Sequence, residues 1–587
     1  MIFLLFFLFS PSAVFAEEGA PLCLSCHDVV DPQVDVGVLA RSVHGGFDCT
    51  ACHRDVTAVP HETKPNRVDC SVCHGDIAGE HAGGVHRIGK KKEVSYLTTC
   101  TACHGNHDIL PKSDFQSPVS RTKIPETCGK CHEGVLRHFV ESAHGKLWKK
   151  GDERGPVCIT CHKAHSIQRI ASKKFRVELP DECGKCHEDK APSYRDTFHG
   201  QATSIGYMTA AKCSDCHTAH MNLPASDPDS TVNPANLMET CGVCHQGINA
   251  NFVEYDPHSN PHDKGKSPLL YYASQFMFWL LALVFGFFGL HTFLWFQRSV
   301  TALIRGEVRR KWETDRYIIR FNTAQRLTHL MIVVSFLGLA ATGIPLKYHY
   351  AEWAKPLIVL FGGVEVSRYF HRVCAVLTGL YVLFHAGYLF QRLVREGKWP
   401  RLFRPDTILP RWKDAVDLWR NFRWFFYLGE RPGIGRWAYW EKFDYFAIFW
   451  GIPVIGLSGL ILWFPEFFTR FLPGVFLNLA MIIHGEEALL ALGFIFIFHF
   501  FHNHLRPENF PIDTVIFTGR LPLDRFKEER PEVYEELVRD GKLDKLLVGP
   551  PSERMQRAAN IFGYSALGIG MILAICIFVA FFSTYPG

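Results

Sequence analysis

Apolar residues are spread unevenly along this chain. Up to about residue 268 long apolar runs are few. Beyond it lie six, at about 269–296, 327–346, 370–391, 443–464, 476–501 and 560–582, each long enough to cross a bilayer as a helix. The loops between them differ in charge. Segments 298–326, 391–442 and 503–559 hold 8, 12 and 10 Lys or Arg, against 3 and 1 in 346–369 and 465–480. The positive-inside rule therefore puts the three basic loops in the cytoplasm, and residue 268 and the C-terminus outside. The opening MIFLLFFLFSPSAVFA has an apolar core, a breaker and small residues, which predicts a secretory signal cleaved after Ala16. Both signals export the half that precedes residue 268. Within 503–559, the stretch DRFKEERPEVYEELVRDGKLDKLL predicts a short amphipathic helix, either in a solvated linker to the sixth segment or as a partner-docking site.

Composition sharpens the division. Of 587 residues 20 are cysteine, and 18 of these precede residue 268. All 18 fall in C-x-x-C-H strings, beginning at Cys23, Cys49, Cys70, Cys100, Cys128, Cys158, Cys183, Cys213 and Cys241 and closing with Cys26, Cys52, Cys73, Cys103, Cys131, Cys161, Cys186, Cys216 and Cys244. Chance gives far fewer than one such string. Zinc sites need pairs of cysteine pairs and no histidine after each second cysteine. A disulfide scaffold has no use for the histidines. Covalent haem does: two thiols add to its vinyl groups and the next histidine reaches the iron. The proximal ligands are then His27, His53, His74, His104, His132, His162, His187, His217 and His245.

Distal ligands have twelve candidates: His44, His61, His81, His86, His107, His138, His144, His165, His199, His220, His258 and His262. About nine are needed, so about three are expected at the surface. Some recur in context. SVHG, SAHG and FHG lie between paired motifs, and CHGNH, CHKAH and CHTAH put a histidine three residues after a proximal one. In CITCHKAH, His162 serves its own haem and His165 suits another nearby. Residues 128–168 and 183–223 repeat one pattern, 23–62 and 70–110 are looser copies, and 241–245 opens a fifth unit. This is a string of di-haem modules whose core must be mostly haem. With distal histidines plentiful, the haems should carry electrons rather than bind substrate. The net charge of +5 suggests no bulk polyanion, hence no nucleic acid.

Histidines inside apolar helices are costly and usually functional. His371 and His385 lie 14 apart on the third segment, and His484 and His499 lie 15 apart on the fifth. Two such helices can hold two stacked b-type haems by bis-histidine ligation. The outer pair is His371 with His484; the inner is His499 with His329 or His385. For His291, His502 and His504 the alternative to a functional role is a satisfied core histidine, and Cys374 and Cys576 read as packing residues.

Residues 318–505 resemble the membrane cytochrome b subunits of formate dehydrogenase and nickel–iron hydrogenase. The carrying stretches are RFNTAQRLTHL, TGIPL, RYFHR, LILWFPEFFTRFLP and IIHGEEALLALGFIFIFH. The resemblance implies His329 for the inner haem, His371 for the outer, and one of each from His484 and His499. The spacing of 15 replaces the family's usual 14, so a bulge or use of His502 is expected. The family's quinone site, beside the inner haem, uses an Asn before the third helix. GRWAYWEKF has Ala438 near that place, which leaves His329, His385, Glu441 and Lys442 as quinone-site candidates. The whole chain resembles the CbcL-type inner-membrane cytochrome bc proteins of metal-respiring bacteria. That implies a mainly α protein: a signal peptide (1–16), a loop-rich periplasmic domain with nine haem c (17–267), and a six-helix membrane domain with two haem b (268–587) whose segment 503–559 is cytoplasmic. It implies menaquinol oxidation and transfer to periplasmic c-type cytochromes, with an extracellular acceptor such as ferric oxide. Alternatives are a quinone reductase fed by a periplasmic donor, a multihaem terminal reductase, or an electron store without a quinone site. The haem of Cys241 and Cys244 is expected nearest the membrane.

Overall fold

The structure is a computed structural model that describes residues 20–27, 34–87, 99–307, 314–399 and 407–583. The expected signal segment, 1–16, lies outside the described residues. The fold is mainly helical, with a loop-rich N-terminal part. The chain divides into two compact units. One contains Cys213–Asn236 and the residues up to Glu182; the other contains Cys183–Lys212 and the residues from Leu237 onward. The second therefore takes in two segments of the cysteine-rich half.

The first unit is built of short helices joined by turns. Among the described residues its buried apolar side chains include Ile124, Pro125, Phe139 and Val157. Side chains alone do not make a core of this size. Local hydrogen bonds hold the turns instead. Ser142 Oγ donates to Phe139 O (2.6 Å) and accepts from Gly145 N (3.0 Å), closing one helix and starting the next. A Cβ at Gly145 would run into the Phe139 carbonyl, so only glycine fits.

In the second unit, six helices among the described residues are long and apolar enough to cross a membrane: Pro268–Ile304, Thr323–Lys347, Val364–Arg395, Tyr439–Trp463, Val475–Leu505 and Glu553–Phe582. They are the first to sixth long helices below, and they make this a multipass membrane protein. Polar caps fix where some begin. Asn322 and Gln325 form a reciprocal capping box (2.9 and 3.0 Å) at the second, and Ser552 Oγ accepts from Met555 N (3.3 Å) at the sixth. Small residues let the helices close. Gly338 faces Cys374 across the second and third, so Cys374 packs as a buried apolar residue. Ala340, Ala341 and Ile344 meet Leu492, Phe496 and Phe500 of the fifth helix and Leu573 and Ala580 of the sixth.

The segment 503–559 folds. Arg520–Pro522 and Leu547–Val548 pair antiparallel on either side of Tyr317–Ile319. The expected amphipathic stretch forms two helices, Leu523–Glu529 and Pro531–Arg539, broken where Pro531 begins the second. Their apolar faces close over Ile318, Leu521 and Phe526. The solvated linker is thus replaced by a small cap.

Candidate haem-ligand sites

Each C-x-x-C-H string forms a single tight turn. His53 N donates to Cys49 O (2.9 Å), His74 to Cys70 (2.9 Å), His132 to Cys128 (3.0 Å), His187 to Cys183 (3.0 Å) and His245 to Cys241 (2.9 Å). Residues i, i+3 and i+4 of a helical turn share one face, so both thiols and the imidazole point the same way. The spacing and the local fold together make a three-point attachment for a flat ligand. His217 likewise ends the helix Cys213–His217.

Two imidazoles on opposite sides of one metal, each nitrogen about 2 Å away, have ring centroids roughly 6 Å apart. In the first unit, His27 and His61 stand 6.0 Å apart, His44 and His74 6.1 Å, and His53 and His107 6.3 Å. His86 and His132 are 6.1 Å apart, His104 and His165 6.2 Å, and His162 and His220 6.0 Å. In the second unit His199 and His245 are 6.0 Å apart. The donor set and spacing fit a six-coordinate haem iron. Burial first, and the facing ring second, hold His53, His86, His104 and His162 below the ordinary imidazole value. That direction favours the neutral imidazole, the form that offers a lone pair.

His27 and His61 face each other within one module, 23–62; the facing partners of the other six pairs come from different modules. His132 faces His86 of the module before it, and His104 faces His165 of the module after it. Backbone conformation makes this reach possible. In CHGNH, CHKAH and CHTAH, the residue after the proximal histidine is Gly105 (φ 84°), Lys163 (φ 64°) or Thr218 (φ 59°). The positive φ redirects the chain and throws the second histidine away from the first. In the HG contexts, His144 and His199 follow the caps Ser142 and Thr197, and Thr197 Oγ1 accepts from Gly200 N (3.1 Å) as Ser142 does from Gly145. The first cysteines of consecutive motifs also touch: Cys23 with Cys49, Cys70 with Cys100, and Cys128 with Cys158 share side-chain hydrogen bonds. The contacts follow the di-haem modules.

Other distal candidates lie elsewhere. His81 lies near His86, and His138 near His220, beside rings that already face a partner. His262 is exposed, and His258 Nδ1 meets Ser193 Oγ at 3.1 Å.

In the helix bundle, His371 and His484 stand 6.4 Å apart. Each Nδ1 is occupied: His371 by Thr342 Oγ1 (2.9 Å), and His484 by Ile455 O (3.0 Å) and Ser458 Oγ (3.3 Å). Gly343 and Gly459 leave room beside the two rings. This pair has the same iron-sized spacing. Fifteen residues on, His499 Nδ1 meets Asp444 Oδ2 at 2.9 Å. Phe494–His499 is a π-helical turn, which absorbs the extra residue and returns His499 to the phase of a 14-residue separation. His329 Nδ1 is buried without a partner, and the ring lies within electrostatic range of His499 and His504. His385 Nε2 instead meets Tyr445 OH at 2.9 Å. His291 meets Tyr439 OH (2.5 Å), His502 meets Thr292 Oγ1 (3.3 Å), and His504 accepts from Asp513 N (3.3 Å). Glu441 accepts from Ala438 N (2.7 Å) and pairs with Arg530 (2.8 Å), while Lys442 pairs with Asp414 (2.9 Å).

The last cysteine motif packs on the bundle. His245 Nδ1 meets Glu466 Oε1 at 3.1 Å, Asn251 Nδ2 donates to Thr469 O (2.9 Å), and Asn478 Nδ2 donates to Asp256 O (2.8 Å). Tyr207 OH donates to Glu365 (3.0 Å), and Ile205 is buried against Ala354 and Ile358. Sequence reasoning missed Glu466, Asn478, Thr342 and Asp444. Each is an ordinary polar residue whose partner is far away in the chain.

A family model for cytochrome c3 matches residues 42–133. No curated protein matches the chain. The match and the six apolar helices together make this a membrane-bound electron-transfer cytochrome with covalent c-type haem.

Proposed function

We propose that the chain is an inner-membrane quinol oxidoreductase, taking electrons from the menaquinol pool and delivering them through nine periplasmic c-type haems to periplasmic cytochromes, in service of an extracellular acceptor. Held between histidine pairs, haem supplies a one-electron centre at each site. The nine C-x-x-C-H turns hold the c-type groups. In the bundle His371 and His484 would hold one protohaem, and His499 with His329 a second. His385 is committed to Tyr445, which favours His329.

The observation that carries this reading is adjacency within one unit. The turn bearing His245 is bonded to residues 466–478, and Asn478 lies in the first turn of the helix that carries His484, six residues or about 9 Å further on. The two kinds of site are thereby held close. Glu441 and Lys442 are occupied by ion pairs. The half-buried His385–Tyr445 pair is better suited to hydrogen-bond a quinol head group arriving from lipid.

The test is stopped-flow mixing of anaerobic, oxidised, detergent-purified protein with a menaquinol analogue, with and without a quinone-site inhibitor. The expected result is b-band reduction before c-band reduction, both stopped by the inhibitor. If the bands stay oxidised, yet a reduced periplasmic cytochrome fills the c and then the b centres, electrons run inward and the proposal fails.

A further inference from the structure

His245 is the proximal histidine of the ninth motif, and its Nδ1 lies 3.1 Å from a carboxylate oxygen of Glu466. Both side chains are about one-third exposed, so solvent only partly screens the pair. Several contacts fix the geometry. Phe252 packs on the imidazole at 5.0 Å between ring centroids. Asn249 Nδ2 donates to Thr469 Oγ1 (3.1 Å), and Thr469 Oγ1 donates to Pro465 O (2.8 Å) in the turn that carries Glu466. With Nδ1 given to the carboxylate, Nε2 is the nitrogen left for iron.

We propose that Glu466 sets the reduction potential of the ninth c-type haem, acting through His245. This rests on the reading that His199 and His245 bind one iron. An Nδ1–H donated to a carboxylate makes the imidazole a stronger electron donor, and a stronger donor favours the ferric ion. The outer bundle pair has no such help, since His484 Nδ1 meets a backbone carbonyl and His371 Nδ1 a hydroxyl, whereas His499 Nδ1 meets the Asp444 carboxylate at 2.9 Å. The ninth haem is therefore easier to oxidise than an unassisted copy of itself. Lowering its potential weakens this centre's hold on an electron. Glu466 belongs to the loop between two long helices, so the tuning exists only while residues 241–256 are seated on that loop. Glu466 is a positioning and tuning residue, not a ligand.

The experiment is an equilibrium redox titration of the full detergent-solubilised chain, followed by the c α-band and by electron paramagnetic resonance, so it needs no quinol. Glu466→Gln keeps the shape and removes the charge. The expected result is one c-type midpoint raised by about tenfold in its reduction equilibrium, which for one electron is about 59 mV. One low-spin signal should move with it and the rest should stay. If Glu466→Gln does not accumulate haem, near-infrared magnetic circular dichroism of the unaltered oxidised protein serves: one c haem displaced towards histidine–imidazolate ligation is expected, and its absence overturns the proposal. His199→Ala separates the two levels. If one haem becomes high-spin there and Glu466→Gln shifts no midpoint, the tuning alone is overturned. If none becomes high-spin, the ligand reading falls and the tuning with it.

Discussion

His165 faces His104, 6.2 Å away and nearly parallel, and not His162, which lies three residues before it and faces His220. A single strand of five residues thus contributes to two sites. Lys163, with its positive φ, makes the divergence. Removing His165 should leave the haem of Cys158 and Cys161 six-coordinate and open that of Cys100 and Cys103. Electron paramagnetic resonance of His165→Ala should show one high-spin haem. That signal should vanish when C100S/C103S is added and persist when C158S/C161S is added. The reverse pattern would mean that each module ligates its own irons.

The π turn at Phe494–His499 gives a second test. It converts a 15-residue spacing into the phase of 14, which in a regular helix is 1400°, about 40° short of whole turns. Deleting Ile495 should relax the turn to a plain α-helix and keep His484 and His499 on one face. Inserting an alanine after Ile495 should rotate His499 away by about 100°. Haemochrome spectra should then show the ratio of b to c unchanged in the deletion and halved in the insertion. Equal ratios in both would sink the idea that the turn sets the register.

Much of this was legible in the sequence, for physical reasons that differ by site. The attachment turns could be read because their chemistry is local: two thiols and a histidine within five residues. The six long helices could be read because bilayer length and apolarity are also local. Distal pairing could not, because His44 and His74, or His86 and His132, meet only through packing of separate turns. The bulge was legible as a discrepancy of one residue, but not its place. Glu466 carried no signal at all, since a carboxylate after a proline at the end of an apolar run is also an ordinary helix start.

The turns themselves make a stability prediction. Thr218 is β-branched and holds φ 59°, a conformation that costs an L-residue about 1–2 kcal/mol. Its hydroxyl is buried without a partner. Thr218→Gly should raise stability by about 1 kcal/mol in thermal or denaturant unfolding of the full chain. Gly145→Ala should do the opposite, costing at least about 2 kcal/mol, because the Phe139 carbonyl occupies the space of the new methyl. Equal stability of both variants and the parent would show that the turns relax freely.

The cap formed by residues 515–548 should be acid-sensitive, and one carboxyl should account for a large share. Burial by itself would raise the Glu529 value, but the Arg525, Arg530 and Arg506 guanidiniums outweigh it and hold it down to about 2, against an ordinary 4.5. Arg525 Nε donates to Glu529 at 2.8 Å, and Arg525 Nη2 to Asp513 at 2.6 Å. A carboxyl whose folded value is depressed contributes stability that is complete above its unfolded value and is lost as pH falls towards the folded one. The window is therefore pH 4.5 down to about 2, and the contribution at neutral pH is about 3 kcal/mol. Amide hydrogen-exchange protection across Arg520–Arg539, corrected for intrinsic rate, should fall through that window while the long helices stay protected. In Glu529→Gln the protection should start lower and lose most of its pH dependence. A variant with unchanged protection at pH 7 would place the acid sensitivity elsewhere, Asp513 being the next carboxylate in the same cluster.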